Sequence, residues 1–124
     1  MTRLYLPLPG LPERLEISVA NSFWRRLKGL LGTRRLDRDK GLLLRRCNSV
    51  HMLGMRYPLD IVYLDQGGVI VKLVENLRPW QVSACRQARD TLEVAAGTIS
   101  RANWRLGERL EWQSPPGLCS KSGQ

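Results

Sequence analysis

The chain has 124 residues, 43% of them hydrophobic and 25% charged. That composition suits one folded domain with a single core, and it excludes an intrinsically disordered chain or two full domains. The formal net charge is +9 and unevenly placed: residues 23–46 carry nine Lys or Arg against Asp37 and Asp39, a net +7. Such a segment attracts anions in a salt-dependent way without specifying which.

In chain order, Pro7, Pro9 and Pro12 break the opening MTRLYLPLPGLPERL, so residues 1–12 read as an extended arm and not as the apolar core of a signal peptide. No stretch has the roughly 18 apolar residues of a membrane helix, and a cytoplasmic protein is expected. Leu15, Ile17 and Val19 alternate with Glu16 and Ser18 as a strand with one wet face. After a cap at Asn21-Ser22, the spacing of Phe23, Trp24, Leu27, Leu30 and Leu31 predicts an amphipathic helix that ends near Gly32. Arg25, Arg26 and Lys28 fall on its polar side, the usual place for a solvated charge run.

Residues 34–41 read as a loop and Leu42-Leu43-Leu44 as a buried strand that leads to Cys47. Asn48 to Pro58, with Gly54 inside it, reads as an irregular connection. Ile61–Leu64 and Val69–Val74 flank Asp65-Gln66-Gly67-Gly68 and predict a β-hairpin. Glu75 to Arg89 shows no clear period. Thr91–Ala95 reads as a strand, Gly97-Thr98 as the start of a short helical turn through Asn103, and Leu110 to Trp112 as a last strand. These elements predict an α+β fold: a mainly antiparallel sheet, barrel-like or a sandwich, with one amphipathic helix and one short helical turn. The globular unit spans 13–113, and 114–124 form a flexible tail.

The order GLLG, GLLL, CNSVH, GMRYPLDIVYLD, GGVI, RPW and TLEVAAG resembles the domain of unknown function 192 family from about Ala20 to Trp112. Cys47, Ser49, Val50, His51, Met55, Arg56, Pro58, Asp60 and Asp65 stand where the family's central block has the same residues. The chain departs from that block at Met52-Leu53, where the family usually has Thr and an aromatic, and again at Glu108, where Gly-Asp is commoner. The resemblance implies no activity, cofactor or partner, since the family has none established.

The residues from Cys47 to Asp65 hold the chain's only His and its most distinctive chemistry. Cys47 and His51 could form a thiolate–imidazole pair, although no third group or oxyanion device accompanies them. Cys47, His51 and Cys85 match no zinc spacing, and Met52 and Met55 read as core filler before they read as soft-metal ligands. No metal or cofactor is expected. Asp60, at the head of an apolar strand, must be paired or must accept backbone N–H bonds; Arg56 is the nearest cation in sequence. Asp60 and Asp65 lie some ~17 Å apart along one strand, too far for a glycosidase pair. Trp80, Tyr57 and Tyr63 suit either a core or a pocket wall.

The reading favoured is a non-catalytic binding or accessory module whose pocket uses Cys47, His51, Met55, Arg56, Asp60 and Trp80. Its partner would be a small ligand or another protein. An enzyme that uses Cys47 and His51 is the runner-up, and anion or nucleic-acid binding along residues 25–46 is the third reading.

Overall fold

A computed structural model describes residues 3–8, 10–11, 13–20, 36–52 and 55–113. The expected amphipathic helix, the pair Leu53-Gly54 and the C-terminal tail lie outside them. Among the described residues, eight strands and one short helix follow in chain order: β1 (Arg3–Pro7), β2 (Arg14–Ala20), β3 (Lys40–Leu44), β4 (Ser49–His51), β5 (Leu59–Leu64), β6 (Ile70–Leu77), β7 (Val82–Ala84), β8 (Asp90–Ala95) and α1 (Thr98–Ala102). Six strands make one open mixed sheet in the order β1-β2-β3-β8-β5-β6, and β4 and β7 form a separate two-stranded ribbon. The fold is α+β and sandwich-like.

The sheet has one parallel seam, β2 on β3, in register Ile17↔Gly41 and Val19↔Leu43. Every other pairing is antiparallel. Parallel neighbours cannot be joined by a tight turn, and residues 21–39 make that connection. Gly41 sits at the seam for a steric reason: a Cβ there would stand 2.6 Å from Ile17 Cδ1 and 3.0 Å from Val94 Cγ1.

Strands β3, β5 and β8 are covered on both faces, which is why Leu42-Leu43-Leu44 and Ile61–Leu64 of β5 are continuously hydrophobic. One face packs Ile17, Leu43, Val62, Leu64, Leu92 and Val94 with Leu6 and Leu8 of the arm and with Ile99 and Trp104. The other packs Leu42, Leu44, Leu59, Ile61 and Tyr63 against Val50, Met52, Met55 and Cys85 of the ribbon layer. The expected arm is therefore an edge strand whose alternate leucines reach the core.

The hairpin between β5 and β6 is present. Asp65 Oδ1 accepts the N–H groups of Gly67 and Val69, and Gly68 takes a φ of 82°. Three expectations are corrected. Asn48–Pro58 contains β4, while Glu75–Arg89 contains the end of β6 and all of β7; strands of three residues are too short to show a period. The stretch expected as a last strand is no regular strand, because it crosses between two elements and does not run alongside one. The Ile70 N–H donates to the Glu108 carbonyl, and the Gly107 N–H donates back to Ile70. At the far end Tyr5 and Gln113 exchange both main-chain bonds, at 2.9 and 2.8 Å. Residues 107–113 thus reach from β6 at one edge of the sheet to β1 at the other.

Candidate functional site

Asp60 is fully buried, and its carboxylate is saturated by the main chain. Oδ1 accepts the Asn76 N–H at 2.8 Å; Oδ2 accepts those of Gly97 at 3.0 Å and Ile99 at 2.9 Å. Asn76 has a φ of 57°, in the left-handed region, beside an irregularity in the β5–β6 pairing. Gly97 precedes α1 with a φ of 95° and supplies no side-chain cap. A carboxylate 37 positions away caps this helix instead, and these main-chain donors explain how a carboxyl group is tolerated inside. Asp60 lies on the sheet face of Val62 and Leu64, opposite to the ribbon, and so does not share a hollow with Cys47 and His51.

The ribbon separates the other sequence-predicted residues. Cys47 is half-buried against the inner cluster, and its Sγ lies 3.1 Å from the Ser49 carbonyl, to which the thiol donates. Its own carbonyl accepts the Thr91 hydroxyl at 2.6 Å. Val50 points inward, fully buried, and His51 is exposed on the outer side opposite Val82. Met52 and Met55 are core residues, while Arg56 and Trp80 are exposed. Cys85 is buried, with its Sγ 3.5 Å from Gln87 Oε1. Among the described residues no three His, Cys, Asp or Glu side chains converge as a metal site, and no helix is long and apolar enough to cross a membrane.

Beneath the ribbon lies a polar group that sequence reasoning did not single out as a unit. Tyr63 is fully buried and donates its hydroxyl to Ser83 Oγ at 2.9 Å. Burial pushes the phenol above its ordinary pKa, the Ser83 hydrogen bond opposes this, and negative charge on Cys85, Cys47 or Glu93 adds to it. Glu93, also fully buried, sits on the same face of β8 as Thr91. The available signal was a Tyr and a Glu within runs whose neighbours are all core.

The Cys47–Asp60 segment reaches a cavity near its end. Tyr57 and Pro58, with Leu36, Arg38, Ala95, Ala96, Gly97 and Arg101, line an open groove of about 400 Å³. Arg101 Nη2 donates to the Arg38 carbonyl at 2.7 Å, whereas Arg101 Nε is buried and has no partner among the described residues. The Asp60 bonds to Gly97 and Ile99 hold the wall that carries Arg101. The groove therefore offers apolar contact from Tyr57, Pro58 and the alanines beside Arg38 and Arg101, a combination that suits a small ligand with an anionic end.

Residues 8–112 match the DUF192 family model, described as "Uncharacterized ACR". A UPF0127 protein of Thermococcus sibiricus is 28% identical over 79% of the chain and 66% of its own length. Another, from Pyrococcus furiosus, is 31% identical over 83% of the chain and 91% of its own length. Two crystal structures share the fold at a TM-score of 0.74. One, from Sinorhizobium meliloti, is named as a candidate transcription regulator and is 27% identical, covering 90% of this chain and 92% of that one. The other, a protein of unknown function from Novosphingobium aromaticivorans, is 18% identical over 89% and 84%.

Proposed function

The chain belongs to the DUF192 family of uncharacterised proteins, and from that premise and its geometry we propose that it is a non-catalytic module that binds a small anionic ligand in the groove beside Tyr57 and Pro58. The observation that carries this reading is Arg101 Nε, a buried N–H donor without a partner among the described residues, at the wall of a cavity. Leaving such a donor unsatisfied costs about 1–3 kcal/mol, a cost that a carboxylate or phosphate oxygen would remove. Arg38 belongs to the basic segment 25–46, the anion-attracting cluster of the sequence, whereas none of Cys47, His51, Met55, Arg56, Asp60 and Trp80, the residues expected to form a pocket, lines this groove.

Thermal shift measured with inorganic phosphate and with short mono- and dicarboxylates tests the proposal. Ligand at 100 times its Kd should stabilise the fold by about 2.7 kcal/mol, and Arg101→Gln should reduce the shift while it leaves the unliganded melting temperature close to that of the parent. No shift with any of these anions, or an equal shift in Arg101→Gln, overturns the reading.

A further inference from the structure

A different surface, on the outer side of the β4–β7 ribbon, has a different chemistry. Trp80 has a φ of 72°, a left-handed conformation that bulky side chains avoid. Burial gives nothing in return, since the residue is 68% exposed. The backbone around it is firmly tied: Trp80 N–H donates to the Met52 carbonyl at 2.9 Å, Gln81 N–H to Arg78 O, and Arg78 N–H to Gln81 Oε1 at 2.7 Å. Strain held in place to display an indole in water points to use of that indole. Val82, two residues on, is 66% exposed, and exposed His51 is its register partner.

The charge around this patch is mostly positive, the exception being Asp90, whose Oδ1 accepts the Arg46 N–H at 3.0 Å. The two segments that form the ribbon, residues 45–58 and 78–89, contain Arg45, Arg46, Arg56, Arg78, Arg86 and Arg89 and not one Asp or Glu. All six arginines are exposed. They are spread along the ribbon. Arg78 precedes Trp80 at the end near Met52, while Arg46 and Arg89 meet at the other, where Cys47 N–H donates to the Arg89 carbonyl. The four-residue rise from His51 to Cys47 puts these ends roughly 13 Å apart, about two nucleotide steps. Guanidinium groups pair with phosphate oxygens in bidentate fashion, and an exposed flat indole stacks on any base. An acidic peptide would answer the charge but leave the displayed indole unexplained.

We propose that the outer face of the β4–β7 ribbon binds single-stranded nucleic acid with little sequence preference, Trp80 stacking on a base and the ribbon's arginines following the phosphodiester backbone. Trp80, Arg45, Arg46, Arg78, Arg86 and Arg89 are not among the residues that line the Arg38–Arg101 groove, so either proposal stands without the other.

The test is fluorescence anisotropy of the full chain with fluorescein-labelled 15-mers of dT and U over a range of NaCl. The Kd should rise steeply with salt, and Arg78→Gln or Arg86→Gln should flatten the log–log slope by about 0.7 each. Trp80→Gly should weaken binding roughly tenfold or more and leave the melting temperature unchanged or higher, because glycine accepts the positive φ. Trp80→Phe should keep most of the affinity, and Arg38→Gln with Arg101→Gln should keep all of it. The proposal is overturned if Trp80→Gly binds as the parent does. It is equally overturned if the oligonucleotides do not bind at low salt, or if a poly-glutamate peptide displaces them as effectively as unlabelled oligonucleotide does at equal charge.

Discussion

Replacing Asp60 with Asn changes one atom and should cost more than most surface truncations. Both carboxylate oxygens accept from the main chain, one from Asn76 and the other from Gly97 and Ile99. An amide has one acceptor oxygen. If that oxygen keeps Gly97 and Ile99, the Nδ2 hydrogens face the Asn76 N–H, donor against donor. One buried bond to a charged acceptor is then lost and one N–H left bare, for about 2–3 kcal/mol. Asp60→Ala removes the acceptor for all three N–H groups, and at about 1–3 kcal/mol each the loss becomes comparable with the 5–15 kcal/mol that holds a domain together. Urea unfolding followed by tryptophan fluorescence measures both. With a slope of about 1–3 kcal/mol per molar, Asp60→Asn should lower the midpoint by about 1 M at constant slope, and Asp60→Ala should be partly unfolded without denaturant. An Asp60→Asn unfolding free energy within about 0.5 kcal/mol of the parent's would refute the argument, since surface substitutions do as much.

Gly41→Ala should destabilise the domain by about 1–3 kcal/mol, because the added methyl stands 2.6 Å from Ile17 Cδ1; pairing it with Ile17→Val should recover part of the loss in the same unfolding assay. Tyr63 has its proton held more tightly in the folded state than in the unfolded chain. Its contribution is therefore complete below pH 10 and declines as pH rises from there toward the raised folded-state value. Tyr63→Phe should show a shallower alkaline loss of stability than the parent, measured as unfolding free energy between pH 9 and 11.

The parts of the fold that were legible in the sequence are those where local pattern and tertiary environment agree. Asp65-Gln66-Gly67-Gly68 between two β-forming runs is a turn on local grounds, and the structure adds only the Asp65 side-chain bonds that close it. Leu42-Leu43-Leu44 announced burial on both sides, as did β5. Asp60 was recognisable as a buried acid that needed partners. The partners were not recognisable, because backbone N–H groups at 76, 97 and 99 carry no sequence signature, whereas Arg56, the nearest cation in sequence, is exposed. Thr91 and Glu93 alternate with Leu92 and Val94 and so read as a wet face; the ribbon layer over that face makes it interior. The ribbon was itself hidden in two segments without period, and with it the placement of Cys47 inward and His51 outward. The groove was half visible: Tyr57 and Pro58 belong to the motif, but Arg101 enters only through the fold.

The crossing of residues 107–113 from β6 to β1 has a bearing on the two open edges of the sheet. An open sheet ends in two rows of unpaired peptide groups, each a template on which another chain can add a strand. Here the same seven residues engage both rows, at Ile70 on one flank and at Tyr5 on the other. A cut on the N-terminal side of Gly107 would release the segment that engages both flanks and uncover them together.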